Sequence, residues 1–84
     1  GEYGYFYYEK LYEDEKEALV RQQLEKEINE LLYEMSIART MGGAVGIYYS
    51  YIDVAIFDKD AFAIALAKIN EKMNFKVYYQ PFLK

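Results

Sequence analysis

The 84 residues carry 14 acidic and 10 basic side chains, for a net charge of −4, with 11 tyrosines and no cysteine or histidine. The missing residue types exclude Ser-His-Asp and Cys-His catalysis, thiolate nucleophiles, disulfides and zinc sites built on His or Cys. The length fits one domain, 1–84, whose thin core has no disulfide to support it, so a reducing, cytoplasmic setting and self-association are both expected.

Gly1 to Lys10 reads as a strand, with Tyr3, Tyr5 and Tyr7 on one face and Gly4, Phe6 and Tyr8 on the other. From about Asp14 to Arg39, the residues Val20, Leu24, Ile28, Leu31, Met35 and Ala38 recur at steps of three or four. That spacing is the apolar stripe of an amphipathic helix, nearly ~40 Å long at about 1.5 Å per residue. Acids gather in its first turn, where they suit the helix dipole, and Glu17 precedes Arg21 at the favourable i,i+4 spacing. Gly42 and Gly43 read as its stop.

Ala44 to Phe57 is extended and rich in β-branched and aromatic residues. Strand length favours two strands with a turn near Tyr49–Tyr51, while the lack of Gly, Asn or Pro there favours one. Two is the preferred reading. Asp58 or Asp60 then caps a second helix with the stripe Phe62, Leu66, Ile69 and Met73, widened by Ala61 and Ala65 and ended at Asn74. Phe75 to Gln80 is a last strand, stopped by Pro81. The order β-α-β-(β)-α-β predicts an α+β fold, a small ferredoxin-like (split βαβ) sandwich with a long first helix.

The charge is uneven. Glu9 to Glu30 holds eight acids against four bases, so this segment accounts for the whole excess of four. Nucleic-acid binding starts from Lys and Arg neutralising phosphates, so it is disfavoured, as is an anionic membrane surface. No apolar run approaches the ~20 residues that span a bilayer, and the acidic, aromatic N-terminal region does not read as a secretory signal. The K/R-G-F/Y-G/A-F-V-x-F/Y run of single-strand binding modules with a βαββαβ order is absent.

Candidate chemistry is sparse. Asp53, within Ser50-Tyr51-Ile52-Asp53-Val54, would serve as a general base only if buried. The ordinary expectation places it near a turn or edge, facing water or paired with Lys76 or Arg39. Gly42-Gly43-Ala44-Val45-Gly46 lies between a helix and a following strand, the reverse of a phosphate-binding loop. Glu13-Asp14-Glu15 lacks the interleaved spacing of a calcium loop. Neither cofactor nor metal is expected.

Tyrosine carries the functional expectation. Phe6-Tyr7-Tyr8, Ile47-Tyr48-Tyr49 and Val77-Tyr78-Tyr79 repeat one pattern, and neighbouring strand residues point to opposite faces. By analogy with the first strand, Ile47, Tyr49, Val77 and Tyr79 face the helices. Tyr7, Tyr48 and Tyr78 then form the outward, partner-facing set. The expectation is a non-enzymatic interaction or regulatory protein that forms a homo-oligomer, or binds another protein, through a tyrosine-rich sheet face. Base stacking on single-stranded nucleic acid and a ligand pocket between dimer sheets are the alternatives.

Overall fold

Alternation along the first strand sets up two layers. In a computed structural model, which describes residues 2–82, β1 (Glu2–Glu9) buries Gly4, Phe6 and Tyr8 and leaves Tyr3, Tyr5 and Tyr7 on the opposite face. The next element, α1 (Asp14–Glu34), carries Asp14, Glu15 and Glu17 in its first turn, where they meet the positive end of the dipole.

The long helix differs from the sequence expectation in its end and in its inner stripe. It stops at Glu34, not Arg39, and Gly42 and Gly43 play no part in stopping it. Ser36 adopts φ 56°, the Ile37 N–H donates to the Leu32 carbonyl, and the Ser36 N–H donates to the Tyr33 carbonyl. This is a Schellman cap with serine in the position glycine usually takes, fastened by the buried pair Leu32 and Ile37. The inner stripe is Glu17, Arg21, Leu24, Ile28 and Leu32, while Leu31 and Met35 are exposed. Arg21 pairs with Glu25 at 2.8 Å instead of with Glu17, because the Glu17 carboxylate turns inward.

Ala38 begins β2 (Ala38–Val45), which forms a hairpin with β3 (Tyr49–Ile56). The two-strand reading therefore holds, but the turn falls at residues 46–48, ahead of Tyr49–Tyr51. The Gly46 N–H closes it onto the Tyr49 carbonyl at 2.8 Å. A bulge between Thr40 and Gly43 interrupts the ladder, and Gly42 takes φ 94° there, a conformation that favours glycine. So the glycines shape a strand.

Asp58 caps α2 (Lys59–Lys72) by accepting from the Ala61 N–H at 3.1 Å. Phe62, Ala65 and Ile69 are buried, with Ala61, Leu66 and Met73 packed beside them, so the apolar stripe is as the spacing implies. The last strand, β4 (Tyr78–Pro81), is shorter than Phe75–Gln80 at its start. Asn70 explains the delay. Its side chain accepts from the Val77 N–H at 2.7 Å and donates to the Val77 carbonyl at 2.9 Å, occupying the groups a ladder would use.

The four strands form one antiparallel sheet in the order β2-β3-β1-β4. Phe6, Tyr8, Ile52, Val54 and Ile56 share a single buried cluster with Leu24, Ile28, Leu32, Phe62 and Ile69. Both helices therefore cover the same sheet face, which is the ferredoxin-like, split βαβ sandwich. Principal extents of 34 × 27 × 18 Å suit one helix layer on one sheet. No helix among the described residues is long and apolar enough to cross a membrane.

Candidate interaction surface

Strand alternation puts every second residue on the face without helices. Tyr3, Tyr5 and Tyr7 of β1, Tyr49, Tyr51, Asp53 and Ala55 of β3, and Tyr78 and Gln80 of β4 share it. The aromatic rings touch as a layer. Tyr7 stacks on Tyr78 at 5.2 Å between centroids and 21° between planes, and it meets Tyr49 edge-on at 5.7 Å. Tyr5 bridges Tyr7 at 5.9 Å, Tyr51 at 5.7 Å and Phe82 at 5.3 Å. Between these rings and Gln80 and Pro81 lies an open depression of about 530 Å³.

Of the expected outward set, Tyr7 and Tyr78 meet within this layer. Tyr48 does not join them. It stands on the hairpin tip, 76 % exposed, with its carbonyl accepting from the Lys10 N–H. Ile47 beside it is 82 % exposed, and Tyr49 lies on the open face, so neither faces the helices as expected. The turn consumes residues 46–48, which shifts the alternation of β3 by one relative to β1. Val77 and Tyr79 do turn to the helix side, where Tyr79 packs against Phe6 and Phe62. Gly4 makes room for that ring, since a Cβ there would run into the Tyr79 side chain and the Gln80 backbone.

The sequence places Tyr5 on the face of Tyr7 and offers Phe82, with Phe57 and Phe75, as a surplus aromatic, but the expected interaction set of Tyr7, Tyr48 and Tyr78 includes none of Tyr5, Tyr51 and Phe82. The first two carry a legible signal, the alternating patterns Tyr3-x-Tyr5-x-Tyr7 and Tyr49-x-Tyr51. Asp53 is also displaced from expectation. It lies in a central strand, opposite Tyr5, and not at a turn or edge. Among the described residues it forms no ion pair with Arg39 or Lys76. Arg39 sits on the edge strand β2, and the Lys76 ammonium lies 5.8 Å from the Tyr78 ring centroid at the opposite margin.

Beneath the sheet, at the start of α1, Glu17 is wholly buried. Its Oε2 accepts from the hydroxyls of Tyr8 at 3.1 Å and Ser50 at 2.7 Å. Its Oε1 accepts from the N–H groups of Leu11 at 2.7 Å and Tyr12 at 3.0 Å. One carboxylate thus ties together β1, β3, α1 and the loop leading into the helix. Burial raises its pKa, but the four donors outweigh burial and hold it below the usual glutamate value. The Tyr8 phenol is pushed up to about 12, chiefly by burial; the hydrogen bond with Ser50 opposes this, and the charge and hydrogen bond of Glu17 add to it.

The two shifts give opposite pH limits. Glu17 is depressed in the fold, so its contribution is complete above the ordinary value near 4.5 and is lost as pH falls through the folded value. Tyr8 is raised, so its contribution is complete below the ordinary value of 10.0 and is lost as pH rises through about 12. Urea melts across pH 3 to 11 are expected to show an acid limb that flattens in Glu17→Gln. An unchanged acid limb in that variant would remove Glu17 as its cause.

Elsewhere the geometry offers little chemistry. Asp14 is exposed and pairs with Lys10 at 2.6 Å, and no group of three or more acidic side chains among the described residues is placed to hold a metal ion. No family model, curated protein or solved structure matches this chain. The uncovered aromatic layer is the surface feature that stands apart.

Proposed function

We propose that the chain is a non-enzymatic interaction protein that pairs with a second copy of itself through the open face of its sheet. The observation that carries this reading is the contiguous ring layer of Tyr5, Tyr7, Tyr49, Tyr51, Tyr78 and Phe82, which no helix covers. Tyrosine is enriched at interfaces because its ring gives contact area and its hydroxyl still finds partners at a wet rim.

Charge placement favours a second copy as occupant. The segment holding the net excess of acid runs through α1, on the far side of the sheet. Two sheets stacked face to face lie about 10 Å apart, and each helix layer lies about 10 Å further out. The two acidic helices would then be roughly 30 Å apart, several Debye lengths at physiological salt. Arg39, Lys76, Asp53 and Glu9 leave the open face itself close to neutral. A standard interface takes about 800 Å² from each partner, roughly a seventh of the 5746 Å² surface of the chain, an area that one broad side of the molecule can supply.

The sheet edges are poorer sites. On β2 the Thr40 N–H donates to the Asn29 side chain and the Gly42 N–H to Glu25, so α1 occupies groups that an added strand would need. On the other edge β4 has four residues and ends in Pro81. Base stacking is disfavoured as well, because Arg39 and Lys76 at the margins are few cations to meet a phosphate backbone.

Light scattering coupled to size exclusion is expected to give twice the 10.0 kDa chain mass at micromolar concentration. A monomer that persists to roughly 100 μM, a Kd range in which specific contacts are marginal, would overturn the reading.

A further inference from the structure

We infer that Asp53 makes this self-association proton-linked, so that the paired form tightens as pH falls. The inference rests on the sheet-face pairing proposed above and concerns how that same surface is regulated. Asp53 sits on β3, one of the two inner strands, directly across from Tyr5 and two residues from Tyr51. Any overlay of two copies that covers the rings of Tyr5, Tyr7 and Tyr51 also covers this carboxylate.

Among the described residues Asp53 forms no ion pair. On its own strand the same-face neighbours are Tyr51 and Ala55. On β1 they are Tyr5, with Tyr3 and Tyr7 to either side, and beyond Tyr5 on β4 comes Gln80. On β2 the bulge places Met41 and Gly42 opposite, while Arg39 pairs in register with Ala55, nearer the sheet margin. Glu9 and Lys76 lie towards the far end of the face, and both helices are on the other side of the sheet. In the separate chain Asp53 is only partly buried, which leaves its carboxylate open to water.

Pairing replaces that water with tyrosine rings. A charged carboxylate loses more from this exchange than a neutral one, so the paired state favours the protonated acid. By linkage, a state that binds protons more tightly is populated further as pH falls. Among the described residues Asp53 is the acid held at the middle of this face, partly buried beside Tyr5 and Tyr51, whereas Glu9, across from Tyr49, is exposed at its end.

The test is sedimentation of the native chain, Asp53→Asn and Asp53→Ser at pH 7.5 and pH 5.5, with far-UV circular dichroism confirming the fold in each case. The native Kd is expected to fall about ten-fold between the two pH values, roughly three-fold from each of the two carboxylates that pairing buries. Both neutral variants are expected to associate at pH 7.5 at least as tightly as the native chain does at pH 5.5, with less than about two-fold pH response. Variants that pair like the native chain, with the same pH response, would overturn the role of Asp53 and leave sheet-face pairing intact. Variants that pair more weakly at pH 7.5 would overturn it too, by showing that the charge is used across the interface. Native and variant chains that all remain monomers would overturn the pairing itself.

Discussion

Glu17→Ala is expected to cost about 3–5 kcal/mol, the loss typical when a buried charge partner is removed and its donors are left unsatisfied. The substitution strands the hydroxyls of Tyr8 and Ser50 in a buried site and takes the acceptor from the part-buried N–H groups of Leu11 and Tyr12. A small domain's whole stability is of order 5–15 kcal/mol, so this loss leaves a marginal fold. Glu17→Gln should be milder, about 1–2 kcal/mol. Its carbonyl can still accept from the two N–H groups, and the two hydroxyls can rotate to accept from its amide. Urea denaturation followed by circular dichroism measures both. A cost below about 1 kcal/mol for the alanine variant, the value of one ordinary hydrogen bond, would show that the network holds nothing together.

The second large effect separates neighbours in sequence. Tyr8 is wholly buried, packs on Phe75 at 5.0 Å between centroids, and donates to Glu17. Tyr8→Ala should cost about 3–5 kcal/mol through the cavity and the lost donor. Tyr7 lies on the other face, stacked on Tyr78 and edge-on to Tyr49. Tyr7→Ala should change monomer stability by less than about 1 kcal/mol, because its ring leaves no closed cavity. Its effect should appear in association, about 1–3 kcal/mol, or roughly 5- to 150-fold in Kd, if it is a hot spot. Paired melting and sedimentation experiments test the contrast. A Tyr7→Ala chain that unfolds while Tyr8→Ala loses only the oligomer would reverse the two faces.

The sandwich itself was legible in the sequence because its cues are local. Alternation in Glu2–Glu9, the capping Asp58 and the period of Phe62, Ala65 and Ile69 each lie within a few residues, and together they specify strand, cap and helix. Six elements in that order leave few ways to bury their apolar faces. The first helix is the instructive exception. Val20, Leu31 and Met35 fit the 3.6-residue period as well as the true stripe does, and Glu17 and Arg21 look like surface charges. Nothing local states that one glutamate will find four donors drawn from the chain between Tyr8 and Ser50. A polar residue seven and eleven positions before Leu24 and Ile28, in line with their stripe, was the available signal.

The open face shows the same division. The sequence by itself determined that tyrosines would populate a sheet, since their number and their place in alternating segments follow from the residues alone. Only the tertiary structure decided which of them meet. A hairpin turn shifted by one residue exchanges the two faces of a whole strand, because side chains alternate with a period of two. Here the turn at residues 46–48 sent Tyr49 and Tyr51 to the open face and left Tyr48 on the tip. The bulge at Thr40–Gly43 and the Asn70 clamp on Val77 likewise depend on partners far along the chain. Residue composition supplied the aromatic layer, and long-range pairing, through register and turn placement, chose its members.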